Sequence, residues 1–130
     1  MGSAASGVMP AGLGHVKLPV SDLAVSRRFY AEALAPLGFE LVYESPRSLG
    51  FGPPPAELFA VELSSEAILG VHVAFNAVDT GSVDAFHAAA LAAGGSDNGP
   101  PGFRPYGRSY YAAFVHDPDA HNIEAVHHGP

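Results

Sequence analysis

The sequence predicts an α+β fold made of two repeated βαβββ modules, and three observations carry that prediction. Short stretches of alternating apolar residues are interrupted twice by helix-period stretches, from Leu23 to Leu34 and after Asp79. The same residue types recur at constant spacing: His15 and His72, Asp22 and Asp79, Phe29 and Phe86, Leu34 and Leu91, and Gly38 and Gly95 are each 57 residues apart. Nine of the 24 positions from His15 to Gly38 are identical at that offset, against about two expected from ordinary composition. The third observation is the closing stretch Tyr110 to Val126, which alternates, turns at Asp117-Pro118-Asp119-Ala120 and resumes, as a β-hairpin does.

With 130 residues the chain makes one domain with a real core. Hydrophobic residues are 48% and charged residues 15%, which is a globular composition rather than a disordered one. The net charge of -7, with no basic run, argues against nucleic acid or an anionic membrane as partner. The sequence has no cysteine, which excludes disulfide and thiol chemistry and fits a cytoplasmic protein. No apolar run approaches the ~20 residues that span a bilayer.

Residues 1–14 read as a disordered or tag-like start, with Met9 an alternative first residue. Module one is expected over 15–63 and module two over 70–128, within one domain over 15–130. His15 to Val20 alternates as a half-buried strand, and Pro19 places it at an edge or near its end. Ser21 and Asp22 can cap a helix from Leu23 to Leu34, with Leu23, Phe29, Tyr30 and Leu34 turned to the core and Pro36 and Gly38 stopping it. Phe39 to Glu44, Leu49 to Phe51 and Glu57 to Leu63 follow as strands, separated by Pro46 and by Pro53-Pro54-Pro55. Module two repeats the order. Gly70 to Ala77 is a strand, and Asp79 opens a helix with Val83, Phe86 and Ala90 on one face, ended by Gly94-Gly95. The Gly- and Pro-rich stretch Gly99 to Arg108 holds a short strand or an irregular connection around Phe103, and the hairpin follows.

Glu124 stands out, a carboxylate in the middle of an otherwise apolar strand. Taken alone, that strand fits a sheet edge with Glu124 in water. If Glu124 faces inward it needs a partner, because an uncompensated buried carboxylate costs several kcal/mol. The repeat changes the balance: module one ends Val61-Glu62-Leu63 and module two ends Ile123-Glu124-Ala125, an offset of 62 that a longer turn region can absorb. The duplication then yields two pairs, His15 with His72 and Glu62 with Glu124, a set of imidazoles and carboxylates that a divalent transition metal accepts.

The segments H-V-K-L-P-V-S-D-L, G-V-H-V-A-F and Y-Y-A-A-F-V-H-D-P-D-A-H-N-I-E-A-V resemble the vicinal oxygen chelate superfamily, which includes glyoxalase I, extradiol dioxygenases and bleomycin- or fosfomycin-resistance proteins. The resemblance covers nearly everything after Gly14. It implies sheets curled into a mixed cup around a metal site, with ligands at His15, Glu62, His72 and Glu124. It implies a homodimer acting on a small-molecule substrate. With four ligands the site resembles glyoxalase I, a lyase or isomerase with Zn, Ni or Co, in which Glu124 is the catalytic proton carrier. With His15, His72 and Glu124 alone it becomes a 2-His-1-carboxylate triad suited to Fe(II) or Mn(II) and dioxygenase chemistry. A third implied reading is a non-catalytic protein that sequesters a drug or metabolite. Arg104, Tyr106, Arg108 and Tyr110 would border the cup, and Arg108 and Tyr110 are the expected substrate-binding residues. His116, His121, His127 and His128 are expected in solvent by turns or at the tail, and His87 on a helix surface. Ala120 stands where the family's D-P-D-G turn has glycine; if that position needs positive φ, alanine there costs about 1 kcal/mol.

Overall fold

The computed structural model of the chain describes residues 11–129, so the expectations for residues 1–10, Met9 among them, lie outside the described residues. Capping sets where both helices begin. Asp22 accepts from the Val25 amide at 3.0 Å and starts α1 (Leu23–Leu34); Asp79 accepts from the Ser82 amide at 2.7 Å and starts α2 (Thr80–Ala92). A 3-10 turn, Ala35–Leu37, extends α1 to Gly38 at φ 85°, and α2 gives way to Gly94 at φ 107°. Both stops use the left-handed conformation that glycine adopts without a Cβ penalty.

The strands are β1 (Val16–Val20), β2 (Glu40–Glu44), β3 (Ser48–Gly52), β4 (Phe59–Leu63), β5 (His72–Asn76), β6 (Ser96–Arg104), β7 (Tyr110–His116) and β8 (Asn122–His128). They form two four-stranded sheets of matching order, β1-β4-β3-β2 and β5-β8-β7-β6. The first strand of each module lies at a sheet edge and runs parallel to the last. Pro19 is thus on an edge strand, where its missing N–H costs no ladder bond. Together with the two helices, the architecture is the α+β repeat expected from the sequence.

One face of each sheet packs on the helices in a single core, with Phe29, Tyr30, Phe51, Phe59 and Phe86 fully buried. Each aromatic ring so buried contributes roughly 1.5–3 kcal/mol. Edge-to-face contacts of Phe75 with Phe59 at 5.2 Å and with Phe39 at 5.5 Å join the modules.

Two features depart from expectation, the length of β6 and the way the repeat closes, and one alternative, Glu124 at a sheet edge, is set aside. β6 is a nine-residue strand rather than a short one around Phe103. It is an outer strand, and its register slips at Gly99 and again before Gly102, which lets Pro100 and Pro101 ride in it. β8 lies between β5 and β7, so Glu124 is not on an edge. The repeat also closes differently. Glu124 pairs with Ala74, two residues beyond His72. Two residues beyond His15 is Lys17, which pairs with Ala60. Ala60, not Glu62, is the counterpart of Glu124; Glu62 pairs with Pro19 and corresponds to Val126. A two-residue slip keeps every side chain on the same face, so alternation alone does not detect it.

The tip of the last hairpin ties the modules together. Buried Asp117 accepts from the Tyr30 hydroxyl of α1 and from the amides of Asp119 and His121. Burial, and then the nearby Asp117, hold the Tyr30 phenol well above its usual pKa. His121 is fully buried, contrary to the exposed position expected for it: Nε2 donates to the Pro19 carbonyl at 2.8 Å and Nδ1 accepts from the Val71 amide at 3.1 Å. The Ser21 amide donates to Asp119 at 3.1 Å. Ala120 does adopt positive φ, at 68°.

Candidate functional site

On β8, Ile123 and Ala125 turn to the core, and alternation sends Glu124 to the other face of the sheet. Pairing brings His72, Asn122, Tyr110 and Phe114 to that face as well. Glu124 is 1% exposed. Its Oε1 is 2.8 Å from His72 Nε2, and its Oε2 accepts from the Tyr110 hydroxyl. These two donors offset the desolvation that would make an isolated carboxylate there untenable.

Burial and the hydrogen bond to Glu124 push the Tyr110 phenol up to about 12, so it stays a donor through the physiological range. The rings of Tyr106 and His128 flank Tyr110 at 5.3 and 4.9 Å. Phe114, directly opposite Glu124, lies 6.2 Å from the His72 ring. Arg104 extends over Phe114, its guanidinium 5.5 Å from the ring centre and donating to the Pro100 carbonyl at 2.6 Å.

The structure thus brings together His72, Glu124 and Tyr110, and places the other expected site residues elsewhere. His15 is exposed one residue before β1, beside a cavity of about 310 Å³ lined by Phe39, Leu58, Ala74 and Asn76 between the modules. Glu62 is half-exposed and ion-paired to Lys17 at 3.0 Å, beside a separate cavity of about 410 Å³ that Arg47 also lines. The larger cavity therefore lies at a solvated ion pair and not at the buried carboxylate. Arg108 is exposed in the turn over 105–109.

Among the described residues, no three His, Cys, Asp or Glu side chains gather closely enough to hold a metal ion. The His72 and Glu124 pair nevertheless fits part of such a site: one nitrogen and one oxygen donor lie side by side. A single chain presents two of the three or four donors that a divalent ion takes. Glu57 escaped the sequence reading, which placed it in a strand; it lies before β4, and its side chain covers Gly50.

Residues 12–125 match the Glyoxalase/Bleomycin resistance protein/Dioxygenase superfamily. Among solved structures, a glyoxalase/bleomycin resistance protein from Albidiferax ferrireducens T118 is 32% identical with a TM-score of 0.79, over 89% of this chain and 98% of that one. A glyoxalase-related enzyme from Fulvimarina pelagi is 25% identical with a TM-score of 0.69, over 87% and 86%. A lactoylglutathione lyase from Agrobacterium tumefaciens, 19% identical with a TM-score of 0.69 over 92% and 95%, shares the fold. No protein of curated function matches significantly. With the family matched over nearly its whole length, and with module order and sheet topology agreeing, the chain belongs to the Glyoxalase/Bleomycin resistance protein/Dioxygenase superfamily.

Proposed function

We propose that the protein is a metal-dependent enzyme of glyoxalase type, acting by proton transfer on a small substrate with two adjacent oxygens. The observation that carries this reading is Glu124, a buried carboxylate held between the imidazole of His72 and the hydroxyl of Tyr110. His15, His72 and Glu124 would hold a divalent ion, Zn, Ni or Co, which supplies Lewis-acid polarisation of the paired oxygens. Glu124 is the proton carrier. Tyr110 keeps its own proton and orients the carboxylate through Oε2. Arg108 borders the same end of the sheet and suits an anionic group on the substrate.

Because one chain presents only His72 and Glu124 together, the site is completed by His15 from a second copy, and the working unit is a homodimer. Glu62 lies outside the ligand set: it is held by Lys17 and stands two residues along β4 from the position that matches Glu124. No helix of the described residues is long and apolar enough to cross a membrane, and a cytoplasmic setting suits a chain without cysteine. A second reading draws on Ala60: with no ligand there, the strands supply a 2-His-1-carboxylate triad, the Fe(II) or Mn(II) arrangement of dioxygenases.

Mixing variants tests the first reading. His15→Ala and Glu124→Ala, each alone, are expected to lose bound Co(II); co-refolded, they should recover up to one site per dimer, read by equilibrium dialysis. Stoichiometric metal in either single variant defeats the ligand assignment, and no recovery on mixing defeats the shared site. Oxygen uptake with catechols, in Fe(II)-loaded protein, is the outcome that selects the second reading.

A further inference from the structure

We infer that Arg104 receives a carboxylate of the substrate, which makes the substrate a small acid with its anionic group set apart from its paired oxygens. The inference rests on the reading above and moves the anion from the turn, where Arg108 lies exposed, to the sheet itself. Register sets the place. Arg104 on β6 is directly across from Tyr110 on β7, and cross-strand partners project to the same face. The Tyr110 hydroxyl reaches Glu124, so this is the face that carries His72, Glu124 and Phe114. The preceding residue, Phe103, pairs with Tyr111 and belongs to the other side.

The backbone of β6 is shaped around this half-buried side chain. The guanidinium lies 5.5 Å from the centre of the Phe114 ring, and its Nη2 donates to the Pro100 carbonyl at 2.6 Å. A Cβ on Gly99 would stand 3.2 Å from Nη2 and 3.0 Å from Phe114 Cδ1. A Cβ on Gly102 would stand 3.1 Å from Nη1. Glycine at both positions therefore leaves the room that the two ends of the fork occupy. Gly99 is also held at φ 148°, a conformation that other residues rarely adopt. The register slips at Gly99 and Gly102 thus make a cradle for one cation.

Acidic residues outnumber basic ones by 13 to 6, so an ion pair is the expected state of a cation on this chain. Lys17, Arg27 and Arg28 are paired in that way with Glu62, Glu44 and Glu32. Arg104 is paired with no carboxylate among the described residues, and its one hydrogen bond there, to Pro100, leaves the other N–H groups of the fork for a ligand. Phe114 links this cation to the site. It stands directly opposite Glu124, and its ring is 6.2 Å from that of His72. A substrate with its paired oxygens at His72 and Glu124 can lay its body along Phe114 and reach Arg104 with a carboxylate. The two carboxylate oxygens match the guanidinium fork.

Protocatechuate and its primary amide carry the same paired oxygens and differ in the charge of one group, so the ratio of their dissociation constants reads the carboxylate alone. Calorimetry on the intact protein without oxygen, with Co(II) and without metal, measures that ratio. The wild type is expected to prefer the acid by about tenfold, the worth of a charge-assisted hydrogen bond. Arg104→Gln is expected to abolish the preference, Arg104→Lys to restore part of it, and Arg108→Gln to leave it unchanged. A purely structural role for Arg104 would weaken both probes alike, and an unchanged ratio in Arg104→Gln overturns the inference. So does a preference lost in Arg108→Gln and kept in Arg104→Gln, or no preference in the wild type. A wild type that binds no Co(II) but keeps the preference without metal defeats the metal-dependent reading and leaves Arg104 as the anion's partner.

Discussion

Tyr110 and Glu124 place a half-buried phenol against a buried carboxylate, and the carboxylate helps to set the state of the phenol. The phenol is pushed up to about 12 by burial first and by Glu124 second. A folded-state pKa above the ordinary 10 favours the neutral phenol in the folded protein. Its contribution to stability is complete below pH 10 and is lost as pH rises towards 12. A spectrophotometric titration should show one tyrosine ionising near pH 12 that Tyr110→Phe removes; an unchanged titration in that variant would contradict the pairing. Glu124 was legible in the sequence because a charge on an alternating apolar strand breaks its pattern. The packing of Glu57 over Gly50 was not, because a loop side chain breaks no period and its placement depends on a glycine seven residues earlier in the chain. His121 misled for a related reason. Turn histidines are ordinarily solvated, and only the docking of the turn onto Pro19 and Val71 buries this one.

At the scale of elements, local chemistry was the reliable guide. Both helices start at the aspartates that the repeat singled out, and both stop at glycines. Hydrogen bonding to Ser82 lowers the pKa of Asp79 below its ordinary 3.8. The cap's contribution is therefore full above pH 3.8 and fades as pH falls through the lowered folded value. Asp79→Ala should lower the urea midpoint at neutral pH, and the gap from wild type should close in acid; a gap that persists undiminished at pH 2 would point to a cause other than the carboxylate. What local chemistry did not give was strand register. Val61-Glu62-Leu63 and Ile123-Glu124-Ala125 look equivalent to any period-2 reading, and only their partners on β1 and β5 separate them. β6 was underestimated because Gly and Pro normally argue against a strand, whereas an outer strand with register slips accepts both.

At the scale of the molecule, the two modules are fastened by a shared aromatic core and by the hairpin tip. The core joins them without direction, since apolar contact is tolerant of small shifts. The tip is directional, because His121 satisfies the Pro19 carbonyl of one module and the Val71 amide at the start of the other. His121→Ala leaves both without that partner and should cost about 2–4 kcal/mol of unfolding free energy. Urea denaturation reads this directly, and a loss under 1 kcal/mol would mean that the aromatic core alone holds the modules. The alanine at 120, held at φ 68°, shows that the tip tolerates about 1 kcal/mol of backbone strain.

That fastening also imposes an order of events on a chain made from its N-terminus. Asp117 and Asp119, which accept from the Tyr30 hydroxyl and the Ser21 amide, and His121, which donates to the Pro19 carbonyl, follow those partners in the chain by 87, 98 and 102 residues. Until they emerge, module one has its helix and strands but not the acceptors and donor that close its open end, and its core lacks Phe75 and Phe86. Closure of module one is therefore expected to wait for the hairpin of module two, and a nascent chain stalled before Asp117 is expected to be cut by proteases faster than the whole domain.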